Sequence, residues 1–589
     1  MQENIGSIIL NTFEKDKQKH FLKNYITGEQ YTGEETINIV HKIATTLIAE
    51  EVEAGSRVAI YSQNCPEWTM VDIACLQSKL ISVPIFATNN SHETDYILHD
   101  AGVQVIFVGT QSQYREILKI DRREQFRIII FDEKVNLQTD NSIHFKNWIN
   151  QYDPKGYDSD LEERTNSITK NDLATLIYTS GTTGEPKGVE LIHHQFTSLL
   201  ENHNLTYEFK PSYTSIAFLP LSHVYERGWT YIVLANGMTN VYLSDPKIIA
   251  DAIYNVKPET VCAVPRLYEK IYAKIMDEIS SQSLIKKKIF HWAVGVGKNR
   301  LKYTQENKSV PLGLSLKYKI ADRLVFQKIL EKLGGNMVYA PCGGAYMPDK
   351  LVEFFLAIGL PMLVGYGLTE ASATVTSFTL ENFKVGTVGK PIINVDVKIG
   401  ENNEILVKGD TITRGYYKLE EESKKHYTED GWFKTGDAGH LDEEGYLVIT
   451  DRIKQLIKTA NGKYIAPQLV EAQISQSPFI SQAMVIGEGK PFAAAILTLN
   501  REYAEKWANR KQIEFDKIDN LLENERMLKS LDQSIKKKQL TLSSYERVKR
   551  YKVLPNEFTM ENDELTPTLK LKRKVILERY SDLIDTLYK

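Results

Sequence analysis

Cysteine is scarce in this chain of 589 residues: only Cys65, Cys75, Cys262 and Cys342 occur, at spacings that match no metal-ligand pattern. That excludes a disulfide framework or a cysteine-rich metal centre and fits a reducing compartment. Long apolar runs are missing too. The two longest uncharged stretches, Gly228–Ser244 and Phe354–Thr369, are shorter than the ~18 residues of a membrane span and contain Gly with Asn or Pro. The first residues, Met1-Gln-Glu-Asn-Ile-Gly, lack a basic-then-apolar leader pattern. Charge of one sign is also lacking: 72 Lys and Arg against 76 Asp and Glu leave −4, so nothing in the balance favours a nucleic-acid partner. No internal repeat or low-complexity tract is visible. The expectation is a soluble, cytoplasmic protein.

What is present is an ordinary globular composition, 42% apolar and 25% charged, which excludes whole-chain disorder. At ~150 residues per domain the length allows about four units, or fewer large ones. Strand-like and helix-like segments alternate early: Arg57–Tyr61, Glu67–Lys79, Ile81–Phe86, His92–Ala101, Val103–Val108, Arg127–Phe131. That alternation predicts right-handed crossovers and a mainly parallel sheet covered on both faces. It resumes with short strands at Leu173–Tyr178, Ser215–Leu219, Thr260–Val264, Met337–Ala340 and Met362–Val364. From about Gly386 to Asp451, Gly-punctuated short strands predict an antiparallel unit. Beyond Asp451 the chain becomes more basic and helical, and the Lys-rich Ser280–Lys308 reads as a helical insertion over the surface.

The strongest local signal is Tyr178-Thr-Ser-Gly-Thr-Thr-Gly-Glu-Pro-Lys-Gly-Val189. A strand delivers the chain into Thr179, Ser180, Thr182 and Thr183, whose hydroxyls can donate. Gly181 and Gly184 let backbone N–H groups approach an anion, and Lys187 adds a point charge. A P-loop NTPase needs Gly-Lys-Ser/Thr entering a helix. Here Pro186 and Gly188 flank Lys187, so this is a phosphate loop of another kind.

That segment resembles the signature loop of the adenylate-forming enzymes, which include acyl-CoA synthetases, firefly luciferases and peptide-synthetase adenylation domains. Further motifs follow in the family's order, and the resemblance runs from about Gly33 to Leu577. Pro341-Cys-Gly-Gly-Ala345 resembles the backbone against which adenine lies, at Gly343, Gly344 and Ala345. Gly365-Tyr-Gly-Leu-Thr-Glu370 ends a predicted strand, where open parallel sheets hold their ligands. Tyr366 can stack on adenine, Thr369 can donate to the α-phosphate or substrate carboxylate, and Glu370 is a hard oxygen ligand suited to Mg²⁺. Trp432-Phe-Lys-Thr-Gly-Asp437 resembles the segment whose aspartate holds the ribose hydroxyls. In Asp451-Arg-Ile-Lys-Gln-Leu456, Arg452 also reaches the ribose and Lys454 takes the hinge position. Lys458–Pro467 resembles the loop that enters the site for thioester formation. Thr566-Pro-Thr-Leu-Lys-Leu-Lys-Arg573 resembles the segment with the catalytic lysine. A lysine followed three residues later by arginine selects Lys570, with Lys572 as runner-up. Thr568-Leu569 replaces the usual Ser-Gly there.

Phe218-Leu-Pro-Leu-Ser-His-Val-Tyr-Glu-Arg227 resembles the acyl-pocket and gate segment of the long-chain branch, where His223 either packs structurally or lines the acyl and thiol path. Val264–Lys270 and Ala321–Phe326 resemble the same branch. His193-His194 has no further ligand at metal spacing and reads as a helix start. The resemblance implies an α/β fold: a large N-terminal domain of doubly wound sheets with a β-rich subdomain, residues 1–451, plus a small mobile α+β C-terminal domain, residues 452–589. It implies ATP- and Mg²⁺-dependent activation of a long-chain fatty acid to acyl-AMP, then transfer to coenzyme A. Outside the resemblance, Lys-rich segments such as Lys286-Lys-Lys288 read as solvated helix faces and give the one hint of peripheral membrane contact, while the charge balance points to no nucleic acid. The rivals are transfer to a carrier-protein phosphopantetheine, a ligase that stops at the adenylate, and a non-catalytic acyl or nucleotide binder. Intact Lys187, Glu370, Asp437 and Lys570 argue against the last.

Overall fold

A computed structural model describes residues 4–179, 185–453, 456–461, 463–540, 542–560, 562–566 and 570–589. The predicted early alternation builds a seven-stranded sheet from β1 (Arg57–Tyr61), β2 (Ile81–Ile85), β3 (Val103–Val108), β4 (Arg127–Ile130), β5 (Ser142–His144), β6 (Leu173–Thr179) and β7 (Lys187–Ile192). Their order is β5-β4-β3-β1-β2-β6-β7. Every pairing is parallel except β6 with the edge strand β7, which is antiparallel and sets Thr179 opposite Lys187. The described ends of the hydroxyl-rich segment, Thr179 and Lys187, therefore meet at the sheet edge. Buried apolar runs such as Ile128, Ile129 and Ile130 account for strands covered on both faces.

A second layer joins two four-stranded sheets. One contains His20–Asn24, Gln30–Thr32, Thr214–Ala217 and Thr239–Tyr242; the other contains Ala340–Cys342, Met362–Tyr366, Thr376–Ser377 and Lys390–Pro391. Thr260 stitches them by bridging Ser215 on one side and Tyr339 on the other. The predicted strand Thr260–Val264 is thus two isolated bridges, at Thr260 and Ala263, because Pro265 starts a helix straight after it. The strand expected at Met337–Ala340 falls at Ala340–Cys342, after Gly334 and Gly335 turn the chain with positive φ. The helix Pro66–Gln77 is buried on nearly all sides.

The antiparallel unit forms as expected from Val395–Ile399, Glu404–Gly409, Phe433–Leu441 and Leu447–Arg452. Beyond it, Ile480–Ile486, Ala494–Leu499 and Arg550–Leu554 make a three-stranded sheet around which buried residues, from Ile457 to Ile584, cluster apart from the others. Ser280–Lys308 contains the helix Leu284–Gln305, and His193 does open a helix, running to Thr206. Lys570 lies just before a helix: Leu571 bridges Leu565, and the helix begins at Arg573. No helix among the described residues is long and apolar enough to cross a membrane.

Candidate active site

The strand Met362–Tyr366 releases the chain into a turn that folds straight back. A side-chain carbon on Gly367 would sit 1.4 Å from the Ala373 carbonyl oxygen, so only glycine fits there. The return runs through Ser372 and Ala373, both at positive φ (51° and 93°). Such backbone costs of order 1–3 kcal/mol per residue and is held only by surrounding structure. The Ser372 hydroxyl donates to the Thr411 carbonyl, and the Thr413 N–H donates to the Glu370 carbonyl at 2.6 Å. Between these ties the short helical turn Thr369–Ala371 carries a buried Thr369 and presents Glu370.

Asp437 lies opposite Arg452 in adjacent strands. Its carboxylate accepts the Tyr366 hydroxyl at 2.6 Å and the Arg452 Nε–H at 3.0 Å, one on each oxygen. Burial, then the Asp437 charge, pushes the Tyr366 phenol well above its ordinary pKa, so it stays a donor. Each carboxylate oxygen keeps a second lone pair for a ligand hydroxyl. Tyr366 also lines a largely apolar pocket together with Gly343, Gly344, His223, Tyr225 and Trp229. Gly344 has φ 81°, and Gly343 packs beneath the Tyr225 ring. Ala345 is exposed beside Gly344.

His223 caps the helix α1 (Val224–Ala235), its Nδ1 accepting the Tyr225 N–H at 3.2 Å. That bond leaves the proton of the neutral ring on Nε2. Burial, then the Lys570 charge, lowers its pKa to about 4, so near neutral pH it is a donor without charge. The gate-like segment divides in function. His223, Val224 and Tyr225 line the pocket, whereas Glu226 and Arg227 turn into the core. Glu226 accepts the Leu219 N–H at 3.0 Å, and burial raises its pKa well above the ordinary carboxyl value.

Lys570 reaches this cleft from the C-terminal segment. Its residue remains exposed, yet the protein crowding its amine, and next the Arg452 charge, lower the pKa to about 8 against the pull of Asp437 and Glu370. Lys572 points elsewhere, with Nζ 2.5 Å from Asp563 and 3.2 Å from Glu93. Arg573 is tied to the Val485 carbonyl and Glu471. Lys187 opens β7 with Nζ 2.5 Å from Glu422 Oε1 and 5.2 Å from the centre of the Tyr416 ring. The Tyr416 hydroxyl donates to Glu370 Oε1 at 2.9 Å. Tyr416 and Glu422 were not apparent from the sequence, because an aromatic pair before an acidic helix carries no signal of its own. Ser180, Gly181, Thr182, Thr183, Gly184 and Lys454 lie outside the described residues. Thr179 stands at the end of β6, where that loop begins. No cluster of three or more His, Cys, Asp or Glu that could hold a metal occurs among the described residues. Glu370 alone fits a hard cation whose other ligands come from phosphate.

The AMP-binding enzyme family matches residues 11–417, and the AMP-binding enzyme C-terminal domain matches residues 454–589. A long-chain-fatty-acid–CoA ligase, FadD15 of Mycobacterium bovis, is 32% identical over 100% of this chain and 97% of its own length. Long chain acyl-CoA synthetase 2 of Arabidopsis thaliana is 31% identical over 95% of this chain and 87% of its own. In fold, the chain is similar to the anthranilate CoA ligase AuaEII bound to anthranoyl-AMP (TM-score 0.72, 18% identity, 99% and 98% of the two chains). It is also similar to the adenylation domain of a carboxylate reductase from Mycobacterium chelonae (TM-score 0.75, 21% identity, 99% and 91%). A strand-end turn, a carboxylate set by two donors and matches over nearly the whole length agree: this chain belongs to the AMP-binding enzyme family.

Proposed function

We propose that the protein joins a long-chain fatty acid to coenzyme A in two steps at this cleft. The fatty-acid carboxylate attacks the α-phosphate of ATP, the bond to the β-phosphate breaks, and acyl-AMP and pyrophosphate form. The thiol of coenzyme A, losing its proton, then attacks the acyl carbonyl, and AMP leaves. Direct attack on the carboxylate fails because oxide is an impossible leaving group. The first step brings anion to anion, so catalysis requires cations and donors where charge develops. Thr179 and the loop 180–184 cradle phosphates, with Lys187 beside them. Gly343, Gly344, Ala345 and Tyr366 hold adenine, while Asp437 and Arg452 hold the ribose. Thr369 orients the reacting oxygens, Lys570 offsets the charge at the α-phosphate, and His223 lines the acyl and thiol path. Glu370 would hold Mg²⁺, which supplies charge neutralisation and polarisation at the phosphates.

One observation carries this reading: Lys570 stands close enough to Glu370, Asp437 and Arg452 for all three to act on its amine. The relatives named long-chain-fatty-acid–CoA ligase and long chain acyl-CoA synthetase support the acid and the acceptor. The division at 451/452 makes 452–589 a unit that turns about Lys454, replacing Lys570 by the 458–467 loop for the second step. At the base of that loop, Ile457–Lys458 pairs with Tyr464–Ile465. The protein works in the cytoplasm, touching a membrane at its periphery. An acid series from acetate to stearate, with coenzyme A or carrier protein as acceptor, tests the assignment. Thioester formation on coenzyme A should peak at long chains. Activity confined to short or aromatic acids, or to carrier protein, would overturn it.

A further inference from the structure

Exposed large apolar side chains are scattered thinly over this molecule, as on most proteins, except in one place. Of twenty among the described residues, eight fall between positions 284 and 324: Leu284, Ile285, Ile289, Trp292, Leu312, Leu316, Ile320 and Leu324. The first four stand near the start of α3, which follows α2 (Pro265–Ser280) and spans Leu284–Gln305; the others begin on α4 (Leu312–Ala321). A π-helical turn, Asp322–Phe326, continues α4 and carries Leu324. On α4 the apolar residues recur every fourth position, which draws one stripe along a helix. Leu312 is 90% exposed, and Ala321 is the only buried residue of the ten. A helix this short gains little stability from its own hydrogen bonds. The two helices pack side by side, the Arg300 guanidinium lying 4.4 Å from the centre of the Tyr318 ring. Inner residues Phe290, Ala293, Val296 and Phe326 anchor the pair to the core.

Charge is equally uneven. Residues 281–328 contain eleven Lys and Arg against Glu306 and Asp322, a local balance of 11 − 2 = +9 in a chain whose total is −4. Lys298 pairs with Glu353 and Lys308 with Glu306; the other nine cations have no acidic partner within 4 Å among the described residues. Lys317, Lys319 and Arg323 flank the α4 stripe, and Lys286 and Lys288 flank the start of α3. An apolar stripe rimmed by cations matches an anionic bilayer surface: acyl chains receive Leu and Trp, and headgroup phosphates receive Lys. A second copy of the same face is disfavoured, because two patches of +9 repel.

We infer that the outer face of α3 and α4 docks the protein onto anionic phospholipid, in the plane of the interface and without crossing it. This locates the membrane contact proposed above and does not depend on acyl activation. Vesicle binding is measured without ATP or fatty acid, so failure here leaves the ligase reading intact, and an inactive ligase leaves this surface intact. The experiment sediments the full chain with vesicles of phosphatidylglycerol and phosphatidylcholine at 1:1, and with phosphatidylcholine alone. Wild type should sediment with the first and much less with the second, and added salt should release it. Leu312→Glu with Leu316→Glu, its fold checked by circular dichroism, should bind at least about tenfold more weakly. Of the six tryptophans only Trp292 is exposed. Brominated lipid should therefore quench wild type and leave Trp292→Phe unquenched. No binding by wild type, equal binding by the Glu variant, equal binding to neutral vesicles, or a dimer abolished by the same substitutions would each overturn the inference.

Discussion

In the proposed first step Lys570 acts as a cation, and it sits among groups that make its charge costly. Crowding and Arg452 bring its pKa to about 8, so the ammonium form dominates below that pH and is lost above it. The rate of pyrophosphate release should be flat below pH 8 and fall about tenfold per unit beyond it. His223, with a pKa of about 4, stays neutral over the same range and adds no limb. Lys570→Arg should lower the rate and abolish the alkaline limb, because guanidinium does not titrate there. Rapid-quench measurement across pH 6–10 checks this; an unchanged limb in Lys570→Arg would assign it to another group. Choosing between Lys570 and Lys572 shows how far sequence reaches at this scale. Spacing ranked the two lysines, but only the fold sets Lys572 against Asp563 and Glu93.

Two ion pairs brace the cleft and its support, and neither was visible along the chain. The short helix Glu420–Lys425 places Glu422 on Lys187. That lysine, with the hydrogen bonds from it and from Lys425, holds the Glu422 carboxyl down to about 2. On the proposed reading, a phosphate displaces Glu422 before Lys187 serves it. A half-exposed pair of this kind contributes about 0–1 kcal/mol, so Glu422→Gln should lower the KM for ATP up to about fivefold with kcat little changed. A raised KM would mean that Glu422 positions the lysine for the phosphate. Deeper in, Asp72 on the helix Pro66–Gln77 meets Arg227 on α1, both side chains wholly buried. Asp72 also accepts the Tyr231 hydroxyl, while Arg227 donates to Thr175 and Ser82. Asp72→Asn strands a buried guanidinium and should cost about 3–5 kcal/mol, whereas Asp72→Leu with Arg227→Met should cost less. Urea melts decide between these; a double variant worse than the single would show that the charge pair stabilises outright. The strands were legible because buried β-branched runs leave few alternatives. These ion pairs were not, since Asp72 and Arg227 are 155 residues apart and meet only when the sheets pack.

At the scale of the whole molecule, the separation of cores fits the proposed turning of the C-terminal unit. The apolar clusters of the C-terminal segment stand apart from the others. Polar ties such as Lys572 to Glu93, Arg510 to Asp277 and Arg266 to Ser481 link that segment to the rest. Ties of this kind can be exchanged at small cost, which suits a unit that takes two positions over one site. The motifs in their order gave the α/β architecture, because backbone turns restrict the residues allowed at the strand ends. The surface of α3 and α4 stayed obscure, because Lys-rich helices usually mean only solubility. The central claim is that Lys570 serves the first half-reaction alone. It is tested by measuring both halves in Lys570→Ala: exchange of labelled pyrophosphate into ATP with a long-chain acid, and thioester formation from supplied acyl-AMP and coenzyme A. The account predicts that exchange falls by at least about a hundredfold while thioester formation stays near wild type. Exchange at the wild-type rate, or equal loss of both halves, would contradict it.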